Sequence, residues 1–388
     1  MKKILALSLL SIGNLLLQAP SFAQPELNAP AASSASMTSA ATSEKSRQIE
    51  LVFVLDTTGS MGGLLEGAKA KIWSIVNQIM QKHGSNTRVK VGLVAYRDRG
   101  DAYLTKITPL TENLDQVYTQ LMALRAEGGG DMPEDVRSAM HEALNKSGWS
   151  KPAQNLSQIM FLVGDAPPHE DYRNVPDTTQ TSKAARARGM IINTIQCGDI
   201  RETTLPWRNI AQYGGGEYFS IAQDGGVQTI ATPYDTELSA LGEQIGGTYY
   251  AYGGSSIERA EKKAKQAKLE KGLLAAAPKP ALAERAVNKA INREAYDEAD
   301  LLQQLDSGKL QADRLKEEEL PDELRKLTPE QRSAKLAELR ASRKALQARI
   351  LELNSQRDKF LQEAAKKQKG SETGFDAAVS AALNKQIH

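Results

Sequence analysis

Oxygen-bearing side chains follow a short apolar run near the start of the chain. Asp56, Thr58 and Ser60 come directly after residues 51–55. Their alternation directs three side chains the same way in an extended turn, and Gly59 gives the backbone room. Such oxygens suit Mg²⁺, Mn²⁺ or Ca²⁺ rather than Zn²⁺. The string alone is a weak signal, but its place between a predicted strand and a predicted helix favours a divalent-cation site, with Mg²⁺ preferred.

Two later loops offer further carboxylates. Asp131 and Glu134 belong to the glycine-rich segment 128–134, which precedes a predicted helix. Capping of that helix is an alternative role for both residues. Capping alone would not need three preceding glycines, so metal contact by at least one of the two is favoured. Asp165 follows the predicted strand 159–163 and completes a set of three loops.

Short, β-branched apolar segments alternate with amphipathic segments from residue 49 to residue 245. The predicted strands are 51–55, 89–96, 103–108, 159–163, 190–195 and 217–221, and the predicted helices are 64–81, 114–124, 135–144, 181–188, 205–213 and 235–245. This pattern predicts an α/β fold, a doubly wound and mostly parallel sheet with helices on both faces. Ligands bind such sheets outside the carboxyl ends of the strands, which is where the three loops lie.

The first and third loops resemble those of a von Willebrand factor A (VWA) domain, a Rossmann-like fold with a metal-ion-dependent adhesion site. Asp56, Thr58 and Ser60 match its D-x-[ST]-x-S motif, and Asp165 matches the aspartate of its third loop. The resemblance covers residues 49–245. It implies a bound cation with an open coordination position, which an Asp or Glu of a protein partner completes.

The second loop departs from the commonest pattern of the family, which has a threonine there. Its D-x-P-E string is similar to the integrin β-subunit version, in which the glutamate contacts the metal. The resemblance therefore implies a metal role for Glu134 first and for Asp131 second. Family members can also shift their last helix when the site fills, which would involve the predicted helix 235–245.

The N-terminal residues have the features of a secretory signal peptide. Lys2 and Lys3 precede an apolar stretch, and small residues place cleavage after Ala23. The stretch is short for a membrane anchor, which is the alternative. Residues 1–23 are thus the predicted signal and residues 24–47, rich in Ala, Ser, Pro and Thr, a flexible linker. The predicted location is periplasmic or secreted, with no stable membrane span after cleavage.

The composition changes again after the predicted VWA domain, residues 48–250. Lys, Glu, Arg, Ala and Leu dominate residues 255–388, which form a predicted helical arm. It is similar to the arm of exported bacterial proteins with this domain in its strings at 319–321 (ELP) and 328–330 (TPE). A heptad seam runs through Leu339, Leu346, Leu353 and Phe360, with the companion series Leu336, Arg343, Ile350 and Arg357. Two arginines in that series leave two alternatives open: a helix folded back within the chain, or self-association as a coiled coil.

The predicted function is metal-dependent protein binding in the bacterial envelope. A net charge of +2 and 5% aromatic residues give no indication of nucleic-acid binding. One alternative is an envelope scaffold that acts through the helical arm. Another is a metal-dependent hydrolase with His169 near Asp165, but His169 is predicted to be an exposed loop residue and no nucleophile motif is present. We therefore predict that the protein is not an enzyme.

Overall fold

A six-stranded sheet runs through the described part of this computed structural model, residues 47–84, 86–227, 229–367 and 374–387. The strands are β1 (Gln48–Asp56), β2 (Arg88–Tyr96), β3 (Thr105–Thr111), β4 (Leu156–Gly164), β5 (Ile191–Cys197) and β6 (Gly215–Ile221). Their order is β3-β2-β1-β4-β5-β6, and only the edge strand β3 is antiparallel to its neighbour. The predicted doubly wound, mostly parallel sheet is confirmed.

The helices fall into two groups along the chain. Those interleaved with the strands are α1 (Gly62–His83), α2 (Leu114–Ala123), α3 (Val136–Lys146), α4 (Thr178–Ala187) and α5 (Arg201–Gly214). Those after the last strand are α6 (Asp235–Gly246), α7 (Ser256–Ala276), α8 (Lys279–Ile291), α9 (Leu301–Asp306), α10 (Asp322–Arg325), α11 (Pro329–Lys367) and α12 (Phe375–Gln386). None of the described helices is long and apolar enough to span a membrane.

Strand β1 is buried on both faces, which fixes it in the middle of the sheet. Phe53 and its neighbours in alternate positions pack into the core formed with α1, α2 and α12. Val52 and Val54 point the other way, into the core formed with α3, α4 and α5. Because side chains alternate along a strand, one apolar run supplies both cores. The carboxyl end of β1, at Asp56, is consequently held by packing on two sides.

Helix α6 does not close the sheet, which corrects the prediction that helix 235–245 is the last helix of the domain. Leu238 and Ile245 pack instead in a separate cluster with Val287 of α8 and Ile350 of α11. The face of the sheet beside α1 is covered by α12, whose Phe375 ring lies 5.9 Å from that of Phe53. The domain therefore takes one of its core helices from the far C-terminal part of the chain.

Helix α11 uses its heptad seam within the chain. Ile350 and Leu353 are buried against α6 and α8. Arg343 forms an ion pair with Asp300 at 2.5 Å, so this polar position is satisfied inside the molecule. Phe360, by contrast, is 37% exposed. Of the two alternatives for the seam, the structure has the helix that folds back on its own chain.

A buried ion cluster joins the C-terminal helices to the sheet domain. Arg285 of α8 holds Asp115 of α2 through two hydrogen bonds of 2.6 Å, and Lys289 and Glu270 complete the cluster. Burial opposes the charge on Asp115, but the two cations outweigh it and hold the pKa of Asp115 at about 2. The described residues form one compact unit. The predicted signal peptide and nearly all of the predicted linker lie outside the described residues.

Candidate metal centre

The first loop begins with Asp56, a carboxylate that is fully buried at the end of β1. Thr58 donates two hydrogen bonds to Asp56 Oδ1, from its backbone N at 2.9 Å and from its Oγ1 at 2.7 Å. The other oxygen, Oδ2, has no hydrogen-bond partner among the described residues. Ser60 follows in a short 3₁₀ turn and is exposed. The loop thus carries one half-satisfied carboxylate below a hydroxyl at the surface.

Backbone hydrogen bonds tie the second loop to the third and bury Glu134. Glu134 N donates to Pro167 O at 3.0 Å, and His169 N donates to Glu134 O at 3.1 Å. The side chain of Glu134 is buried, and its Oε2 also lacks a partner within the described structure. Helix α3 is capped by Asp135, which accepts from Ser138 N at 2.8 Å. The alternative capping role of Asp131 and Glu134 is therefore wrong.

Gly129 allows the first two loops to meet. Its φ of +84° is a conformation that L side chains rarely adopt. A Cβ there would also lie 3.4 Å from Glu134 Oε1 and 3.5 Å from Thr58 Cβ. Gly59 N donates to Gly128 O at 3.2 Å, which adds a direct bond between the loops. Gly128 is the position of close approach, because a Cβ there would lie 2.3 Å from Asp101 Oδ1, and Gly129 serves its positive φ.

The third loop brings Asp165 beside the first. Gln223 Nε2 donates to Asp165 Oδ2 at 2.7 Å and to the backbone oxygen of Ser60 at 3.4 Å. A Cβ on Gly164 would lie 2.9 Å from Asp56 Cβ, so the strand ends pack closely here. Asp165 itself is buried. Five of the six predicted ligands, Asp56, Thr58, Ser60, Glu134 and Asp165, thus belong to one group of adjoining loops.

The protein alone does not neutralise this group of carboxylates. Burial raises the pKa of Asp56 to about 7, and the negative charge of Asp165 adds to the rise. Burial likewise raises the pKa of Glu134 to about 9, and the negative charges of Asp56 and Asp98 add to the rise. Carboxylates enclosed in this way need a cation or a proton. Because every donor is an oxygen, the residues fit a hard divalent cation such as Mg²⁺ or Ca²⁺.

Asp131 lies apart from this group. Its side chain is 64% exposed, and its Oδ2 lies 3.7 Å from His169 Nε2. His169 is only 12% exposed, so the prediction of an exposed loop histidine is wrong. The reason is its packing, because the ring stacks on Tyr172 at a centroid distance of 4.0 Å.

Sequence reasoning missed two carboxylates that follow β2. Asp98 is buried, and Tyr172 Oη donates to its Oδ2 at 3.1 Å. Asp101 accepts from Gly129 N at 3.1 Å and so holds the second loop. Both residues follow the carboxyl end of a strand, and the same rule that selected Asp56 would have found them.

A sequence profile for the von Willebrand factor A domain matches residues 50–233. Residues 50–233 form a von Willebrand factor A domain. VWA domains generally serve in protein interaction and often bind a divalent cation. The match ends before α6, so α6 to α12 lie outside it, including the helix that covers the sheet beside α1.

Curated relatives match part of this chain. Human von Willebrand factor A domain-containing protein 7 is 30% identical over 202 residues, which are 49% of this chain and 21% of that protein. A putative ariadne-like RING finger protein of Acanthamoeba polyphaga mimivirus is 28% identical over 165 residues, 42% of this chain and 15% of that protein. The chain thus spans about a fifth or less of the length of these relatives.

One solved structure that is similar to this chain is that of BatB from Bacteroides thetaiotaomicron, a conserved hypothetical protein. It is 16% identical and has a TM-score of 0.32, over 45% of this chain and 90% of that one. The SpRpn10 VWA domain is 13% identical with a TM-score of 0.34, over 46% of this chain and 88% of that one.

Proposed function

We propose that the VWA domain binds one divalent cation, with Mg²⁺ favoured over Mn²⁺ and Ca²⁺, and that this cation joins it to an Asp or Glu of a protein partner. The observation that carries the proposal is a pair of buried carboxylate oxygens, Asp56 Oδ2 and Glu134 Oε2, that lack partners in the described structure at the carboxyl edge of the sheet. The residues that would hold the ion are Asp56, Thr58, Ser60, Glu134 and Asp165.

The cation would supply positive charge and a coordination position for an incoming carboxylate. Thr58 and Ser60 offer neutral hydroxyls, which leave part of the ionic charge uncompensated and so favour an anionic partner. Ser60 is exposed, which gives a partner access to this edge. Asp56 is buried below it and accepts from Thr58, so it orients the threonine hydroxyl.

The ion site is tested by thermal unfolding of residues 24–388 in chelator and then with Mg²⁺, Mn²⁺ or Ca²⁺. An ion that binds only the folded protein stabilises it by about 2.7 kcal/mol at one hundred times its Kd. We expect that gain in the wild type and its loss in Asp56→Ala. Asp313→Ala, an exposed carboxylate in the C-terminal region, is the matched control and should keep the gain. Equal gains in Asp56→Ala and wild type would refute the site.

Partner capture is tested by crosslinking in an envelope extract, in Mg²⁺ and in chelator. The expected partner is captured by the wild type in Mg²⁺ and lost in chelator or with Asp56→Ala. Substitution of one acidic residue on the identified partner should abolish the same crosslink. A partner that persists in chelator would instead favour a scaffold role for the C-terminal helices. That role has less support, because α12 packs onto the domain and α11 packs onto α6 and α8 of its own chain.

The proposed role is binding rather than catalysis, and the proposed location is the periplasm or the exterior. Phosphatase, nuclease and peptidase assays in Mg²⁺ and Mn²⁺ should stay blank, and activity lost in Asp56→Ala would overturn this part. Fractionation followed by N-terminal sequencing should find the mature chain outside the cytoplasm with Gln24 as its first residue. A cytoplasmic chain that retains Met1 would contradict export.

A further inference from the structure

A second cluster of ligand-type side chains lies beside the proposed cation site. Asp98 follows β2, Asp131 precedes α3, and His169 follows β4. His169 Nε2 lies 3.5 Å from Asp98 Oδ2 and 3.7 Å from Asp131 Oδ2. One ligand atom from each residue lies within 4.8 Å of the other two. Three separate loops therefore direct two carboxylates and one imidazole toward a common point.

The imidazole is held with one nitrogen facing that point. His169 Nδ1 lies 2.9 Å from Asp171 Oδ1, and a carboxylate can only accept, so Nδ1 carries the donated proton. In the neutral ring this leaves the Nε2 lone pair toward Asp98 and Asp131. Nε2 is buried and has no hydrogen-bond partner among the described residues. A carboxylate on the far nitrogen is the usual support of a metal-binding histidine.

Asp98 gives an independent indication of a missing ligand. The residue is 6% exposed, and its Oδ1 has no partner in the described structure. Tyr172 Oη donates to the other oxygen at 3.1 Å while the Tyr172 ring stacks on His169, so one side chain positions both ligands. Arg99 covers the other side of the arrangement, with its guanidinium carbon 3.6 Å from the Tyr172 ring centroid. The Asp98 carboxylate, which has an unpaired buried Oδ1, thus lies beside the unpaired Nε2 of His169.

We propose that Asp98, Asp131 and His169 bind a second metal ion of the Zn²⁺ class, separate from the all-oxygen site. One imidazole nitrogen and two carboxylate oxygens suit Zn²⁺, Co²⁺ or Ni²⁺, whereas Mg²⁺ and Ca²⁺ prefer oxygen ligands alone. Three protein ligands leave a further position for water or for a group on a partner. The exposed side chain of Asp131 puts that position at the surface.

The two sites are chemically distinct but structurally joined. Glu134 of the first site accepts a backbone hydrogen bond from His169 of the second at 3.1 Å. No side chain is shared between the two sets, so the second site does not depend on the proposed function. Substitutions can therefore empty each site separately.

A protonated imidazole paired with both carboxylates would also satisfy this geometry, so the experiment must count ions. Chelator-treated residues 24–388 are titrated with Zn²⁺ by calorimetry, and with Co²⁺ followed by its visible absorption, in excess Mg²⁺. We expect one Zn²⁺ per chain that Mg²⁺ does not displace. His169→Gln should weaken Zn²⁺ binding by about 100-fold or more, and Asp171→Asn should weaken Zn²⁺ binding by about 10- to 100-fold.

Matched variants separate the outcomes. Asp56→Ala and the control His141→Gln should bind Zn²⁺ as the wild type does. Asp131→Asn lies at the exposed rim and tests the ligand set without risk to folding. Loss of Zn²⁺ in Asp56→Ala but not in His169→Gln would place the ion in the first site and refute the proposal. Absence of Zn²⁺ binding by the wild type, or a nitrogen NMR signal showing a proton on His169 Nε2 with Zn²⁺ present, would refute it in favour of the ion-paired imidazolium.

Discussion

Asp56 and Glu134 keep protons that ordinary carboxylates would lose. Their pKa values of about 7 and about 9 in the folded chain exceed the unfolded values of 3.8 and 4.5. The folded state therefore binds protons more tightly, and stability from this source is lost as the pH rises toward the folded pKa values. A bound cation reverses the preference because it stabilises the ionised form.

We therefore expect the free energy of unfolding in chelator to fall between pH 5 and pH 8, by on the order of 1 kcal/mol per pH unit. Saturating Mg²⁺ should flatten that slope and should stabilise the protein more at pH 8 than at pH 5. Urea unfolding at several pH values measures both effects.

Asp56→Asn is the control for this pH dependence, because it removes the titrating group and keeps its shape. Its slope in chelator should be smaller than that of the wild type. An identical slope in the two proteins would show that Asp56 is not the group responsible.

The rule that ligands bind beyond the carboxyl ends of parallel strands predicted most of the site, because it depends on local sequence alone. Asp56 and Asp165 follow apolar runs that can be recognised without any partner. Asp98 also follows a strand, but it stands between Arg97 and Arg99, so the sequence does not indicate that its carboxylate is buried. In the structure it accepts a hydrogen bond from Tyr172, a residue of another loop. Distant packing of this kind cannot be derived from spacing.

At the level of elements, buried arginines fix how α11 lies on the other C-terminal helices. Arg343 pairs with Asp300, which is fully buried, and Arg357 pairs with Asp235 at 2.8 Å and with Glu284 at 2.5 Å. In the sequence these arginines interrupt the apolar heptad seam. Their acidic partners lie on other elements, so the sequence of the helix alone does not show that the arginines are paired. The structure shows that the seam is a mixed apolar and ionic surface matched to its own chain.

Arg343→Ala should destabilise the protein by about 3–5 kcal/mol, because it leaves the Asp300 carboxylate buried without its partner. Chemical denaturation measures the change. Arg349→Ala is the matched control on the same helix: its partners Glu237 and Glu352 are exposed, and no measurable loss is expected. Similar losses in both variants would mean that the helix is held by general packing instead of by the buried pair.

The role of α12 was the largest gap in the sequence-based prediction. The strands and the mostly parallel, doubly wound sheet could be predicted from apolar periodicity and the alternation of strands with helices. Helix α12 is short and rich in alanine, and its place on the sheet follows only from contacts with α1, β5 and β6. Sequence order had pointed to α6 for that place because α6 follows the last strand. Nothing local distinguishes the two.

On the scale of the whole molecule, Phe375 tests whether the C-terminal region is part of the domain. Phe375→Ala should cost about 3–5 kcal/mol, because it opens a cavity against Phe53 in the main core. Phe360→Ala, at a partly exposed position of α11, should cost less than about 0.5 kcal/mol. Thermal and urea unfolding of both variants provide the comparison.

We expect a single cooperative unfolding transition, which shifts to lower temperature in Phe375→Ala. The single compact unit that the described residues form predicts one cooperative transition. Two separate transitions, with the VWA transition unmoved, would mean that α12 is dispensable for the domain.

The contact between Phe53 and Phe375 also implies a delay during synthesis between completion of the sheet and the arrival of the helix that covers it. After Ile221 ends the last strand, a ribosome that adds about 5–20 residues per second needs roughly 8–30 seconds to reach α12. Throughout that interval the sheet has been made, yet the apolar face beside α1 still lacks one of its covering helices. Chaperones that recognise exposed apolar segments therefore have a window of access, which a domain closed by the helix next in sequence would not give them.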